Sequence, residues 1–266
     1  MQFVDTHCHI HDTEFFTDEQ ATVALKTATE NGVNKILCIA TSLEDSRQAI
    51  KFANRHPDYC FASIGIHPHE ASKLNVEQIK NQLDELKALA EDPIVVAVGE
   101  CGFDFCYNKR KDCLAKQTQL LKGQLFIAAE NNLPLSFHVR EAFDDFWPVF
   151  EAVSAEHPIS GVLHSFTDSQ SNADRAIAHN LSIGVNGIAT FTKHSWQREL
   201  FKKLPLKNIV TETDAPFLTP SPKRGTINEP RNVIYITKFL AELRGETEEE
   251  IAKATTANAK GLFKLK

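Results

Sequence analysis

The chain has 266 residues, 42% hydrophobic and 24% charged, with a formal net charge of −6 from 29 basic and 35 acidic residues. That length carries one large α/β barrel or two small domains. The acidic balance argues against a general nucleic-acid coat protein but not against a nuclease, whose bound cations reverse the sign locally. The start Met1-Gln2-Phe3-Val4-Asp5 has neither the basic opening nor the apolar run of a signal peptide. No stretch approaches the ~20 apolar residues of a membrane span, so no membrane association is expected and the expected compartment is the cytoplasm.

Short apolar, β-branched runs recur along the chain at 3–5, 35–39, 60–66, 94–99, 135–138, 161–163, 181–185 and 209–212. They are nearly continuous rather than alternating, as in a parallel sheet covered by helices. Helical patterns follow at 18–31, stopped by Gly32, and at 43–55. The pattern over 76–89 places apolar residues at 76, 79, 83, 86 and 89 on one face. Further helices are read at 111–131, 142–156, 229–243 and 247–262. Eight strand–helix units predict an α/β fold, a (β/α)8 TIM barrel forming one domain over residues 1–266, with its active site at the C-terminal ends of the strands. A doubly wound sheet is the alternative, but no Gly-rich dinucleotide fingerprint follows the first strand. The Pro-rich stretch 215–222 reads as an active-site loop. The cysteines at 8, 38, 60, 101, 106 and 113 form no C-x-x-C pair and read as reduced, buried thiols.

Six potential metal ligands sit at the ends of strand-like runs. His7 and His9, one residue apart in extended chain, point to one face of the first strand, and alternation turns Cys8 away. Glu100, His138, His164 and Asp214 follow later runs. Alone, any one of these histidines reads equally as a hydrogen-bonded strand end. Together, at the ends of barrel strands, they converge on one mouth. Nitrogen and carboxylate ligands without thiolates suit Zn²⁺, Mn²⁺ or Mg²⁺, the four histidines favouring the transition metals. Six ligands exceed the needs of one tetrahedral zinc. With Glu100 shared they divide between two cations, a pair able to activate a water and stabilise a leaving oxygen.

Other residues have two readings. His67 and His69 bind phosphate oxygens or form a turn set by Pro68. Arg140 clamps a phosphate or pairs with Glu141 or Asp144. Lys223, Arg224 and Arg231 contact a nucleic-acid backbone or belong to a solvated basic loop. Glu212, two residues before Asp214, orders a ligand histidine or is structural. Phe103, Phe105 and Tyr107 stack bases or pack.

These residues lie in a series of motifs: Val4-Asp5-Thr6-His7-Cys8-His9, Ile64-Gly65-Ile66-His67-Pro68-His69, Val98-Gly99-Glu100-Cys101-Gly102-Phe103-Asp104-Phe105, His138-Val139-Arg140, Leu163-His164-Ser165-Phe166, Glu212-Thr213-Asp214-Ala215-Pro216-Phe217-Leu218 and Asn228-Glu229-Pro230. In this order, over nearly the whole chain, they resemble the TatD family of metal-dependent deoxyribonucleases within the amidohydrolase-like metallohydrolases. The resemblance implies two divalent metal ions, one held by His7, His9 and Asp214 and one by His138 and His164, with Glu100 bridging. It implies hydrolysis of DNA phosphodiester bonds at ends or in single strands. On that hypothesis Asp214 and Glu100 are catalytic, and the residue readings above place His67, His69, Arg140 and Arg224 on the substrate. Cys101, Phe103, Phe105 and Ser165 depart from the family's commoner Ile, Leu, Tyr and Cys, and Phe105 lacks a phenolic hydroxyl. No required protein partner is evident. The alternative is an amidohydrolase-like enzyme acting on C–N or C–O bonds of a small molecule. Such enzymes often bridge their metals with a carboxylated lysine, where this chain has Glu100. A non-catalytic scaffold would be expected to have lost ligands, and all six are present.

Overall fold

The computed structural model describes residues 1–106 and 109–265. Eight parallel strands run in chain order: β1 (Phe3–Cys8), β2 (Val33–Cys38), β3 (Cys60–Ile64), β4 (Val95–Asp104), β5 (Leu135–Arg140), β6 (Gly161–Leu163), β7 (Ser182–Val185) and β8 (Ile209–Thr211). Each pairs with the next. The ring closes through residues just past β8: Asp214 N–H donates to His7 O at 2.8 Å, His9 N–H donates to Ala215 O at 2.7 Å, and Thr6 Oγ1 donates to Thr211 O at 3.2 Å. The result is the nearly closed (β/α)8 barrel that the sequence predicts.

Among the described residues ten helices surround it: α1 (Asp18–Glu30), α2 (Leu43–Arg55), α3 (Val76–Leu89), α4 (Arg110–Asn131), α5 (Phe143–Ser154), α6 (Gln170–Ala178), α7 (Ile188–Phe191), α8 (Ser195–Lys203), α9 (Val233–Arg244) and α10 (Glu248–Phe263). Capping boxes start three of them, with Thr17 and Gln20 at α1, Asn75 and Gln78 at α3, and Thr247 and Glu250 at α10. Helices α6 to α8 fall outside the helical ranges read from sequence. They are short, at nine, four and nine residues, so few turns are present from which to read an apolar face. No helix among the described residues is long and apolar enough to cross a membrane.

Two apolar layers hold the barrel. Phe3, Ile36, Cys38, Leu135 and Phe137 pack outward against the helices. Val4, Leu37, Ala97, Val162 and Val210 form a second cluster with Ala259 and Phe263 of α10. Strand alternation separates the two sets. None of the six cysteines forms a disulfide; Cys106 is half-buried and the other five are buried.

Strands β1, β4 and β5 run past the ends read from sequence, so His7, Glu100 and His138 lie within strands rather than after them. The polar residues stay in the ladder because β5 supplies partners, Gly102 pairing with His138 and Asp104 with Arg140. Strand β3 stops earlier, at Ile64, and a 3₁₀ turn, Pro68–Ser72, carries His69. Two buried glutamines of α4 fix this junction. Gln124 accepts from Ile66 N–H at 2.8 Å and donates to Ile66 O at 3.0 Å. Gln117 accepts from Asp104 N–H at 3.2 Å and donates to the carbonyls of Pro68, at 3.2 Å, and Asp104, at 3.1 Å.

Replacing Gln124 with Leu strands both polar groups of Ile66, at roughly 1–3 kcal/mol each. Urea unfolding is expected to show a loss of that size; an unchanged midpoint would mean that water or a shifted backbone satisfies them.

Candidate active site

The strand ends open onto a cavity of about 700 Å³. Strand β4 places Glu100 at its floor. Gly99 and Gly102 flank it at φ +142° and +148°, where glycine has no steric penalty. A Cβ at Gly102 would lie 2.0 Å from His138 O and one at Gly99 2.5 Å from Ser136 O. Glycines on both sides thus let β4 approach β5 closely with the carboxylate turned inward.

Around Glu100 the ligand candidates converge. Its Oε2 lies 3.5 Å from His7 Nε2. Its Oε1 lies 2.6 Å from His138 Nδ1 and 3.8 Å from the Nε2 atoms of His67 and His164. Asp214 Oδ1 lies 3.4 Å from His9 Nε2, 3.6 Å from His7 Nε2 and 3.8 Å from His164 Nε2. Three trios have all their ligand atoms within 4.8 Å of one another: His7, His9 and Asp214; His7, Glu100 and His164; and His67, Glu100 and His138. His138 and His164 do not share a trio, and their ring centroids are 6.4 Å apart.

Hydrogen-bond partners fix which nitrogen each ring presents. His9 Nδ1 faces Ile39 O at 2.8 Å, so it carries the proton and leaves the Nε2 lone pair toward Asp214. His164 Nδ1 faces the carboxylate of buried Glu212 at 2.9 Å, an ion-pair contact outside hydrogen-bond geometry that turns its Nε2 toward Glu100 and Asp214. His67 is the reverse. Its Nδ1 accepts from His69 N–H at 3.2 Å, so the neutral ring carries its proton on Nε2 and acts as a donor. His138 is held at both ends, by Glu100 and by Asp104 Oδ2 at 2.9 Å. His7 Nε2 is buried with no hydrogen-bond partner, although two carboxylate oxygens face it beyond bonding range. An unpartnered imidazole nitrogen opposite paired carboxylates fits a divalent cation.

The electrostatics show the same demand for positive charge. Burial disfavours charge on Glu100, but the neighbouring His67, His7 and His138 hold its carboxyl well below the usual range. Asp214 is lowered likewise, His9 and His164 outweighing its burial. Burial also opposes protonation of His9 and His138, yet Asp214 in one case and Asp104 with Glu100 in the other lift them to about 9. Burial and the nearby His138 push His67 down to about 3, so it is neutral. A cation entering this cluster displaces protons from the histidines.

His67, His69 and Arg140 line the cavity, Arg140 at its exposed rim. Arg224 does not. Its guanidinium lies 3.9 Å from the centroid of the Phe191 ring and donates to Thr219 O at 2.8 Å. Lys223 stands over Tyr235, and Arg231 pairs with Glu229. Phe103 is fully buried and Phe105 packs on the core, so neither offers a free face to a base; Tyr107 lies outside the described residues. Sequence reading missed Asp104, a buried carboxylate that also meets His69 Nε2 at 3.0 Å. Its signal was alternation, since Glu100, Gly102 and Asp104 share one face of β4.

An eight-stranded parallel barrel with histidines and carboxylates gathered at its C-terminal mouth is the architecture of the metal-dependent hydrolases. The chain belongs to the TatD-related DNase family, whose model matches residues 4–264. It is 35% identical over 266 residues to the 3′-5′ ssDNA/RNA exonuclease TatD of Erwinia amylovora, covering 98% of this chain and 99% of that one. It is 33% identical to the metal-dependent hydrolase YabD of Bacillus subtilis, covering 98% of each. The crystal structure of YJJV, a TatD homologue from Escherichia coli K12, matches with a TM-score of 0.88 at 31% identity, covering 99% of this chain and 98% of that one.

Glu212 is fully buried, and besides His164 it accepts Ser165 N–H at 2.6 Å. A Cβ at Gly184 would sit 2.5 Å from its Oε2, so β7 leaves room for it. Glu212→Gln is expected to weaken metal affinity by roughly 10- to 100-fold, read by calorimetric titration of metal-stripped protein. Unchanged affinity would confine Glu212 to a structural role.

Proposed function

We propose that the protein is a divalent-metal-dependent nuclease that removes nucleotides from the 3′ ends of single-stranded DNA. The observation that carries this is the division of Glu100, with Oε2 toward His7 and Oε1 toward His138 and His164. A carboxylate with one oxygen facing each histidine set is built to bridge two cations. His7, His9 and Asp214 would hold one, and His138 and His164 the other. The nitrogen and oxygen donors suit Mg²⁺, Mn²⁺ or Zn²⁺. The exonuclease name of the Erwinia relative supports the 3′ polarity and the single-stranded substrate.

When bound, such cations polarise a phosphate and lower the pKa of water. The remaining steps belong to the chain's own residues. Asp214 is ionised, half-buried and exposed to the cavity, placed to orient the attacking water and take its proton. Neutral His67 donates Nε2–H to a phosphate oxygen, a role its tautomer allows and a ligand role does not. His69 and Arg140 offer further donors from the cavity wall, matching charge that develops on the transferring phosphate. Six cysteines with no disulfide among them suit a reducing compartment, and we propose the cytoplasm.

The test is degradation of end-labelled single- and double-stranded DNA by metal-stripped protein, with Mg²⁺, Mn²⁺ and Zn²⁺ restored separately. Metal-dependent shortening from the 3′ end is expected. Hydrolysis of amides or lactones without any cleavage of DNA would reject the proposal. Asp214→Asn is expected to lower kcat by roughly 10²- to 10⁴-fold; full metal-dependent activity in that variant would remove Asp214 from the chemistry.

A further inference from the structure

The exposed aromatic rings at the mouth belong to Phe217, 45% exposed, and Phe15, 42% exposed. The two meet edge to face with centroids 5.0 Å apart. Phe217 also stands edge-on to His9, with centroids 6.1 Å apart. Phe15 follows β1 and Phe217 follows β8, the strands that adjoin where the barrel closes.

The backbone of Phe217 is fixed although its ring stands in water. Its N–H donates to Asp214 O at 2.8 Å, and its carbonyl accepts from Asn228 Nδ2 at 2.6 Å. Buried Asn228 also donates through Nδ2 to Thr213 O at 2.9 Å and through its backbone N–H to Pro216 O at 3.0 Å. Phe15 is tied back by its own N–H to Asp12 O at 3.2 Å. A large ring held in solvent by a pinned backbone, against a candidate ligand histidine, is a preorganised stacking surface.

Charge decides which part of a nucleic acid meets that surface. Asp12 lines the cavity beside the pair, Glu14 precedes Phe15, and Glu19 shares a groove with it. These carboxylates repel phosphate. Among the described residues, the lysine and arginine of the cavity wall are Lys73 and Arg140, which lie after β3 and at the end of β5. In an eight-stranded ring in chain order, that is across the mouth from β8 and β1.

We propose that Phe217 and Phe15 form a platform on which the base of the terminal nucleotide stacks, while the rest of the strand leaves over the Lys73 and Arg140 side. This rests on the nuclease reading above and deepens it. A terminal nucleotide carries no phosphate beyond the scissile one, so it best suits a face where Asp12, Glu14 and Glu19 outweigh Arg231, itself paired with Glu229. Stacking uses the π face that every base has, so the platform selects for an end bearing a base and not for sequence.

The test uses the whole protein, loaded with the cation that supports cleavage, and two single-stranded oligonucleotides identical except that one ends in an abasic nucleotide. The protein is expected to favour the base-bearing end in kcat/KM by roughly 5- to 150-fold, mostly through KM. Phe217→Ala and Phe15→Ala each shrink that ratio, and Phe217→Trp restores it. Equal losses on both oligonucleotides, or no loss on either, overturn the platform. Stacking is read apart from turnover with a terminal 2-aminopurine on a slowly hydrolysed phosphorothioate link, whose fluorescence the unmodified protein quenches and Phe217→Ala does not. Cleavage without discrimination or quenching removes the platform and leaves the nuclease. Quenching without cleavage under any cation keeps the platform and removes the nuclease. Absence of both rejects each.

Discussion

A carboxylate taken out of water must be compensated, and the site depends on how this fold compensates Glu100. Glu100 is 4% exposed, in a residue set that includes a second buried acid, Glu212, and a third, Asp104. An ion so placed costs several kcal/mol unless opposite charge and hydrogen bonds surround it. The barrel meets that demand by converging histidines from β1, β5 and the ends of β3 and β6. In the apo arrangement His138 and His9 carry the positive charge, each lifted to about 9 by its carboxylate neighbours. Cations and protons are thus alternative occupants of one electrostatic well. Metal affinity falls as pH drops because the same nitrogens are then protonated.

Holding that arrangement strains the backbone. Glu141, Ser165, Asp214 and Leu218 are non-glycine residues with φ between +50° and +59°. All four follow strands at the mouth. Such conformations cost about 1–3 kcal/mol each and persist only where the surroundings over-determine them. The restraints are visible. Glu212 takes Ser165 N–H, His7 O takes Asp214 N–H, and Asn228 grips both Thr213 and Phe217. Asp5 adds a link from β1, accepting Thr213 N–H at 2.8 Å while burial, working against its bonds to Thr213, pushes its carboxyl up to about 8. The buried polar groups of this mouth are the clamps that keep its ligands in place.

Much of this was legible in the sequence, for physical reasons. Strands buried on both faces read as continuous apolar runs, so the eight of them and their order stood out. The candidate ligands terminate or interrupt those runs, and it is this recurrence that singled them out. The illegible parts depend on contacts between distant segments. Strand β4 was read as ending at Gly99 because polar residues follow, but β5 completes its ladder to Asp104. The difference between His67 and His9 lies in what each Nδ1 meets, a backbone donor or a carbonyl, and composition carries no trace of it. Arg224 looked free for phosphate because its partners, the Phe191 ring and Thr219 O, come from elsewhere in the fold. Phe103 looked available for stacking, yet strand alternation turned it into the barrel wall.

The distribution of charge then constrains how a chain of net charge −6 can hold a polyanion. Affinity for nucleic acid that is independent of sequence comes from phosphate contacts to lysine and arginine, with counterions released. Only Lys73 and Arg140 supply such charge to the cavity wall among the described residues, and Lys73 is itself paired with Glu70 at 2.6 Å. On the proposed function the grip along a strand would be slight, and binding energy would concentrate at the scissile phosphate. A protein built this way gains little from the middle of a polymer, where every flanking phosphate faces carboxylates as readily as arginine. It gains most from an end, where one side of the scissile bond is free of further charge. The end-directed cleavage proposed above accords with where this barrel keeps its positive charge.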